Sequence, residues 1–213
     1  MLTKSEAITI PIGQLPLEGV VTLVEGPGPA VVVCQPHPLY GGDMDSHVVK
    51  AVCLTLHEKG IASLRFNFRG VGQSEGQFDD GIGEADDLRA VITVLERMPE
   101  IDGTRIGVAG YSFGADVAMV VAASDGYRVK GLAAISPPLG SLTAGRLGRY
   151  NGPSLLVSGE RDQFAPQDRL QDMVDQLSDE CKCCIIEGED HFWGLRVEEM
   201  ARTVAEFFAA QLL

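Results

Sequence analysis

From residue 30 onward the chain repeats one unit: a short apolar run, a loop rich in Gly, Pro or Asp, and then, in most cases, a stretch of helical periodicity. The apolar runs fall at 30–34, 61–66, 105–109, 129–135, 154–157 and 183–186, and they are continuous rather than alternating. Strands covered on both faces read this way, so the pattern predicts βαβ units around a mostly parallel sheet. Two earlier segments, 6–12 and 18–24, are separated by Pro and Gly and read as an antiparallel edge pair. That makes eight strands. Helices are expected over 45–58, 83–98, 113–124, 166–177 and 197–212. Lys59-Gly60 closes the first, Met98-Pro99 closes the second, and Pro166 suits an opening helical turn. No repeat, low-complexity stretch or shift of composition marks a boundary, and 213 residues suit one core. One domain spanning 1–213 is expected, with helices on both faces of the sheet.

Composition narrows the function classes. Hydrophobic residues at 45% and charged residues at 22% exclude a disordered, collagen-like or coiled-coil chain. Seventeen Lys and Arg against 30 Asp and Glu leave a net charge of −13, which repels phosphate backbones and argues against nucleic acid as a partner. No apolar run reaches the roughly 20 residues of a membrane helix, and Met1-Leu2-Thr3-Lys4-Ser5-Glu6 lacks the layout of a signal peptide. A cytoplasmic protein without a membrane partner is expected. Five cysteines is an odd number in a chain too long to need staples, which argues against a disulfide framework. Cys181, Cys183 and Cys184 could be imagined as a metal site. Strand alternation sends neighbours to opposite faces and no second ligand pair follows, so strand thiols and no metal are expected.

The chemistry concentrates in Gly110-Tyr111-Ser112-Phe113-Gly114, which ends a predicted strand and opens a predicted helix. In that setting G-x-S-x-G forms a nucleophile elbow, a strained turn that thrusts the serine hydroxyl out of the sheet edge. A Ser in a Gly-rich helix-capping turn is the plainer alternative. A neutral serine needs an imidazole base, and the base needs a carboxylate to orient it. Asp162 follows the seventh strand and His191 the eighth, and loops after strand carboxyl ends share one edge of a parallel sheet. Glu160, Asp168, Glu189 and Asp190 are competing carboxylates. Asp162 is preferred because it follows its strand by one turn, while Glu189 and Asp190 share the loop of His191 and suit solvent or loop shaping. His47 and His57 fall in the first helix, where solvated or capping roles are expected.

An oxyanion hole needs backbone N–H donors. The residue after the nucleophile, Phe113, supplies the first. The loop Gln35-Pro36-His37-Pro38-Leu39-Tyr40-Gly41-Gly42 follows the third strand and supplies the second. Pro36 and Pro38 have no N–H, which leaves Leu39, with Tyr40 as the alternative. His37 is expected to pin this loop by hydrogen bonding. Tyr40, Phe164, Phe192 and Trp193 are candidates to line an apolar site with few charges at its lip, core packing being the alternative for each aromatic.

Taken together, the elbow at 110–114, Asp162, His191, the His37-Pro38 loop and Arg65-Phe66-Asn67-Phe68-Arg69-Gly70-Val71-Gly72-Gln73-Ser74-Glu75-Gly76 resemble the α/β-hydrolase superfamily. Within it the chain is similar to compact, lidless members related to dienelactone hydrolases and small carboxylesterases. The resemblance implies an α/β-hydrolase fold and the roles of Ser112, Asp162, His191, Leu39 and Phe113 given above. Dienelactone hydrolases carry Cys at the elbow where this chain has Ser112. The segment 67–76, with Arg69, Gln73 and Ser74, is expected to brace its loop more than to bind substrate. The stretch 137–152 is too short for the cap inserted there in larger members.

The expected activity is hydrolysis of a small-molecule carboxylic ester with a short to medium acyl chain, through an acyl-enzyme and without a cofactor. Thioesterase or peptidase/amidase activity on the same triad, and a non-catalytic binding protein, are the alternatives. The last helix carries Phe207, Phe208, Leu212 and Leu213, which would pack on the sheet of a monomer or on a second copy in a homodimer.

Overall fold

The computed structural model describes residues 4–125, 128–138, 150–174 and 180–213. An eight-stranded sheet runs through it in the order β1-β2-β4-β3-β5-β6-β7-β8. The strands are β1 Lys4–Ile12, β2 Leu15–Leu23, β3 Gly28–Cys34, β4 Ala62–Phe66, β5 Ile101–Tyr111, β6 Leu132–Ile135, β7 Ser154–Gly159 and β8 Cys181–Ile186. β1 and β2 form the antiparallel edge hairpin, β2 meets β4 antiparallel, and the pairings from β4 through β3 to β8 are parallel. Helices α1 His47–Glu58, α2 Ile82–Leu95, α3 Phe113–Asp125, α4 Gln167–Val174 and α5 Val197–Leu212 cover the two faces.

The continuous apolar runs explain this arrangement. Successive residues of one strand face opposite sides, so β3 sends Val32 and Cys34 to one core and Val31 and Val33 to the other. The first core is closed by Leu88 and Val91 of α2, Ala118 and Val121 of α3 and Leu170 of α4. The second is closed by Val49 and Val52 of α1 and by Met200, Val204 and Phe208 of α5. Each such buried side chain contributes about 1.5–3 kcal/mol of apolar burial, which only a two-sided layer supplies for both faces of a strand. Phe207, Phe208 and Leu212 are buried against the sheet in the single chain, whereas Leu213 is exposed. Cys181 and Cys183 join the first core and Cys184 the second, as alternation along β8 requires. Among the described residues, no helix is long and apolar enough to cross a membrane.

Element limits moved in a few places. β5 begins at Ile101, ahead of the apolar run, because Gly28 of β3 pairs with Ile101 before a register shift. α2 stops at Leu95, where Arg97 and Met98 donate to the carbonyls of Val94 and Leu95 and tighten the chain into a turn. Residues 139–149 and 175–179, which hold most of the 140–152 loop and the expected end of α4, lie outside the described residues.

The segment after β4 is braced from several sides. Arg69 donates to both carboxylate oxygens of the buried Asp87, with Nη2 at 2.6 Å from Oδ1. Buried Glu84 accepts from the N–H groups of Asp79 and Gly81 at the start of α2. Buried Ser74 accepts from Glu18 N–H and donates to the Asn67 carbonyl at 2.8 Å. The bracing role expected of Arg69 and Ser74 is what these contacts supply.

Candidate active site

Ser112 follows β5 and immediately precedes α3, with its backbone at φ 53°. A non-glycine residue in this left-handed region is strained, and the two flanking glycines make the turn possible. A Cβ on Gly110 would run into the Gly114 carbonyl, and one on Gly114 would run into the carbonyl of Gln35 at the end of β3. The strand and helix touch backbone to backbone. The Ser112 hydroxyl consequently stands at the carboxyl edge of the sheet.

Three side chains from three strand ends meet there. His191 Nε2 lies 3.0 Å from Ser112 Oγ. On the far side of the ring, Nδ1 lies 3.0 and 2.9 Å from the two carboxylate oxygens of Asp162. His191 and Asp162 are buried and Ser112 is half-buried. Burial opposes ionisation of Asp162, but hydrogen bonds from His191, Ser136 and the Ala165 N–H outweigh it and hold its carboxyl below the usual range. Phe164 N–H and Ala165 N–H donate to Oδ1 at 2.9 and 3.0 Å, and Ser158 Oγ donates to Oδ2 at 3.2 Å. An anchored carboxylate of this kind fixes the ring and favours the Nδ1–H tautomer, which leaves Nε2 as the hydrogen-bond acceptor facing the Ser112 hydroxyl.

The competing carboxylates serve the loop instead. Buried Glu189 accepts from the N–H groups of Asp190, Leu195 and Arg196, closing the turn that carries His191. Exposed Asp190 accepts from Phe192 N–H at 2.8 Å. Two residues also hold this loop, Tyr111, which sequence reasoning passed over, and His47, for which a solvated or capping role was expected. Tyr111 donates its hydroxyl to the His191 carbonyl at 2.9 Å, and His47 Nε2 reaches the Phe192 and Trp193 carbonyls at 3.0 and 3.3 Å. Tyr111 had a sequence signal in its place beside Ser112, whereas His47 had none.

Around the serine, Phe113 is the first residue of α3, so its N–H has no intrahelical acceptor and is available at the helix N-terminus. Leu39 lies in a 3₁₀ turn, Pro38–Tyr40, absent from the expected elements. Its N–H donates to His37 Nδ1 at 3.2 Å, and Tyr40 N–H donates to the His37 carbonyl at 3.1 Å. His37 therefore pins the loop as expected, through the very amide assigned to the oxyanion hole. Its ring packs 4.8 Å from Phe113, 4.9 Å from Tyr40 and 5.1 Å from Phe78. Buried Gln35 ties this loop to the next, donating to the Gly42 carbonyl and accepting from Phe68 N–H.

Phe164 and Phe192 stand exposed with ring centroids 4.7 and 5.6 Å from His191, and Tyr40 is exposed on the opposite loop. Trp193 corrects the expectation. It is fully buried in the core beneath α5, with its indole N–H donated to Ser136 Oγ, so it does not line the site. The lip also carries more charge than expected: Asp43, Asp79, Asp80, Glu160 and Asp190 are exposed on the loops of this edge. A cavity of about 510 Å³ lies between α2 and α3, walled by Ile82, Ala85, Val117 and Met119, and it shares Phe113 with the site but no triad residue.

Comparison with known proteins agrees with this architecture. A family model described as "Alpha/beta hydrolase domain" matches residues 40–209. An uncharacterized protein of Rickettsia prowazekii is 32% identical over 187 residues, covering 84% of this chain and 78% of its own. A solved α/β serine hydrolase homologue from Coxiella burnetii is 32% identical, with a TM-score of 0.85 over 97% of this chain and 98% of its own. A lidless α/β serine hydrolase from Xanthomonas campestris is 30% identical, with a TM-score of 0.86 over 100% of this chain and 97% of its own. Fold, elbow and matched sequence converge, and the chain belongs to the α/β-hydrolase family.

Proposed function

We propose that the protein is a serine hydrolase that cleaves carboxylic esters of short to medium acyl chains. The observation that carries this reading is the continuous hydrogen-bonded line from Ser112 Oγ through His191 to Asp162, at 3.0 and 2.9 Å. His191 Nε2 takes the Ser112 proton as the oxygen attacks the ester carbonyl, and Asp162 stabilises the imidazolium that results. The tetrahedral oxyanion is met by Phe113 N–H and by Leu39 N–H, the latter released from His37 Nδ1. His191 then returns the proton to the departing alcohol. Water, activated by the same nitrogen, hydrolyses the acyl-enzyme and restores Ser112.

The test is turnover of p-nitrophenyl acetate and butyrate by the intact chain and by Ser112→Ala. The variant is expected to fold normally and to lose kcat by about 10⁴-fold or more. Turnover by the variant at the parent rate would reject the assignment.

A further inference from the structure

Eight large hydrophobic side chains are exposed among the described residues, and their placement is uneven. Leu39, Tyr40, Ile82, Phe164, Phe192 and Leu195 all lie on the loops and first helical turn that follow the strand carboxyl ends, the edge that presents Ser112. Only Leu54 and Leu213 lie elsewhere. Exposed apolar side chains concentrated in this way mark a binding surface. They form two walls. Phe164 and Phe192 flank the His191 ring, while Tyr40, Phe78 and Phe113 surround His37 on the oxyanion side.

Among the described residues, the exposed charges on these loops have one dominant sign. Asp43, Asp79, Asp80, Glu160 and Asp190 are exposed on these loops. Among the described arginines near this edge, Arg69 is tied to Asp87, Arg65 to Asp45 and Arg196 to Glu199, and the exposed Arg161 is outnumbered by five exposed carboxylates. The net charge of −13 adds a repulsive field for any anion approaching the edge.

We infer that the substrate is an uncharged hydrophobic ester, gripped by its apolar body between the two aromatic walls, and that esters with an anionic acyl chain are rejected. This rests on the serine hydrolase reading and names the substrate class for that site. Apolar contact with the walls favours the neutral acyl group, whereas a carboxylate loses hydration there and meets like charge. A lipid surface is the other occupant a collar of this kind could take. The interleaved carboxylates oppose an anionic bilayer, and direct ring contacts to His191 and His37 suit a single substrate molecule at the serine.

The experiment compares p-nitrophenyl valerate with the mono-p-nitrophenyl ester of glutaric acid, whose acyl chains differ in a terminal methyl against a carboxylate. The full chain is expected to give kcat/KM at least about tenfold higher for valerate, with the gap narrowing as salt is raised to about 0.5 M. Phe164→Ala and Phe192→Ala are each expected to lower the valerate-to-acetate ratio of kcat/KM by about threefold or more. Equal or better turnover of the glutarate ester overturns the inference, as does an unchanged ratio in both folded variants. A rate that rises only above the solubility limit of valerate overturns it in favour of a lipid surface. Failure of the underlying reading looks different: neither ester is hydrolysed and a fluorophosphonate leaves Ser112 unlabelled.

Discussion

Trp193 donates its indole N–H to the Ser136 hydroxyl oxygen across 3.0 Å, and Ser136 is among the groups that hold the Asp162 carboxyl below its ordinary range. Both residues are fully buried and both hold positive φ, 48° at Ser136 and 56° at Trp193. Strained backbone persists only where surrounding packing fixes it. The pair thus forms a floor that ties the loop carrying His191 to a residue acting on Asp162.

Trp193→Phe keeps an aromatic ring in place and removes the donor. The account expects a loss of about 1–2 kcal/mol in stability, from a lost bond at a buried hydroxyl. It also expects a severalfold fall in kcat with KM little changed, as Asp162 loses part of its support. Urea unfolding and steady-state kinetics on the same preparation check both. A stable variant with parental kcat would show that the floor does not steer the triad.

His37 is the second positioning residue. Burial lowers the pKa of its imidazole, outweighing the raising effect of Asp80 and Glu84, so Nδ1 stays available to accept from Leu39 N–H at neutral pH. His37→Phe retains ring packing but removes the acceptor that holds the Pro38–Tyr40 turn in the resting chain, and the loosened turn is expected to present Leu39 N–H less well and lower kcat severalfold. His37→Asn restores an acceptor near the same place and is expected to recover most of that loss. Equal kcat for the Phe variant and the parent chain would show that the His37 hydrogen bond does not position the Leu39 amide.

Gly114 has a purely steric assignment. Its Cα faces the carbonyls of Cys34 and Gln35, and any Cβ there forces α3 away from β3. Gly114→Ala is expected to cost about 2–3 kcal/mol, as overpacking of backbone against backbone does, and to displace Ser112 from His191. A thermal melt within a degree of the parent would contradict the close approach.

Much of this was legible in the chain because the elbow and the strands advertise themselves locally. The continuous runs at β3, β4 and β7 required two-sided burial, and the spacing of Asp162 and His191 after successive strands required a shared edge. Trp193 was misread because its neighbour Phe192 is exposed and nothing local distinguishes the two. Its ring turns into the core at a positive φ and bonds there to Ser136, a residue distant in sequence. Tyr111 was passed over, and His47 given a solvated or capping role, for a similar reason, since their partners are backbone carbonyls of a loop, which leave no pattern of residue types. The turn at Pro38–Tyr40 was missed because it arises from the His37 side chain folding onto its own loop.

Acid should loosen the loop of His191. Burial raises the pKa of Glu189, but hydrogen bonds from the Arg196, Asp190 and Leu195 N–H groups prevail, so its folded carboxyl sits below the ordinary range. The folded state thus binds the proton less readily than the unfolded one. The stabilisation is fully present above the unfolded pKa of about 4.3 and is lost as pH falls through that range toward the lower folded value. Urea midpoints measured from pH 7 down to about 3 are expected to fall more steeply for the parent than for Glu189→Gln. Parallel curves would assign the acid sensitivity to other carboxylates.

The catalytic account depends on the proximity of Ser112 Oγ to His191 Nε2, 3.0 Å apart. Treatment of the folded protein with a fluorophosphonate, followed by peptide mass spectrometry, tests it most directly. The account predicts stoichiometric modification of Ser112 that is slowed strongly in His191→Ala. Modification at any other residue, or labelling of Ser112 at the same rate without the imidazole, would contradict it.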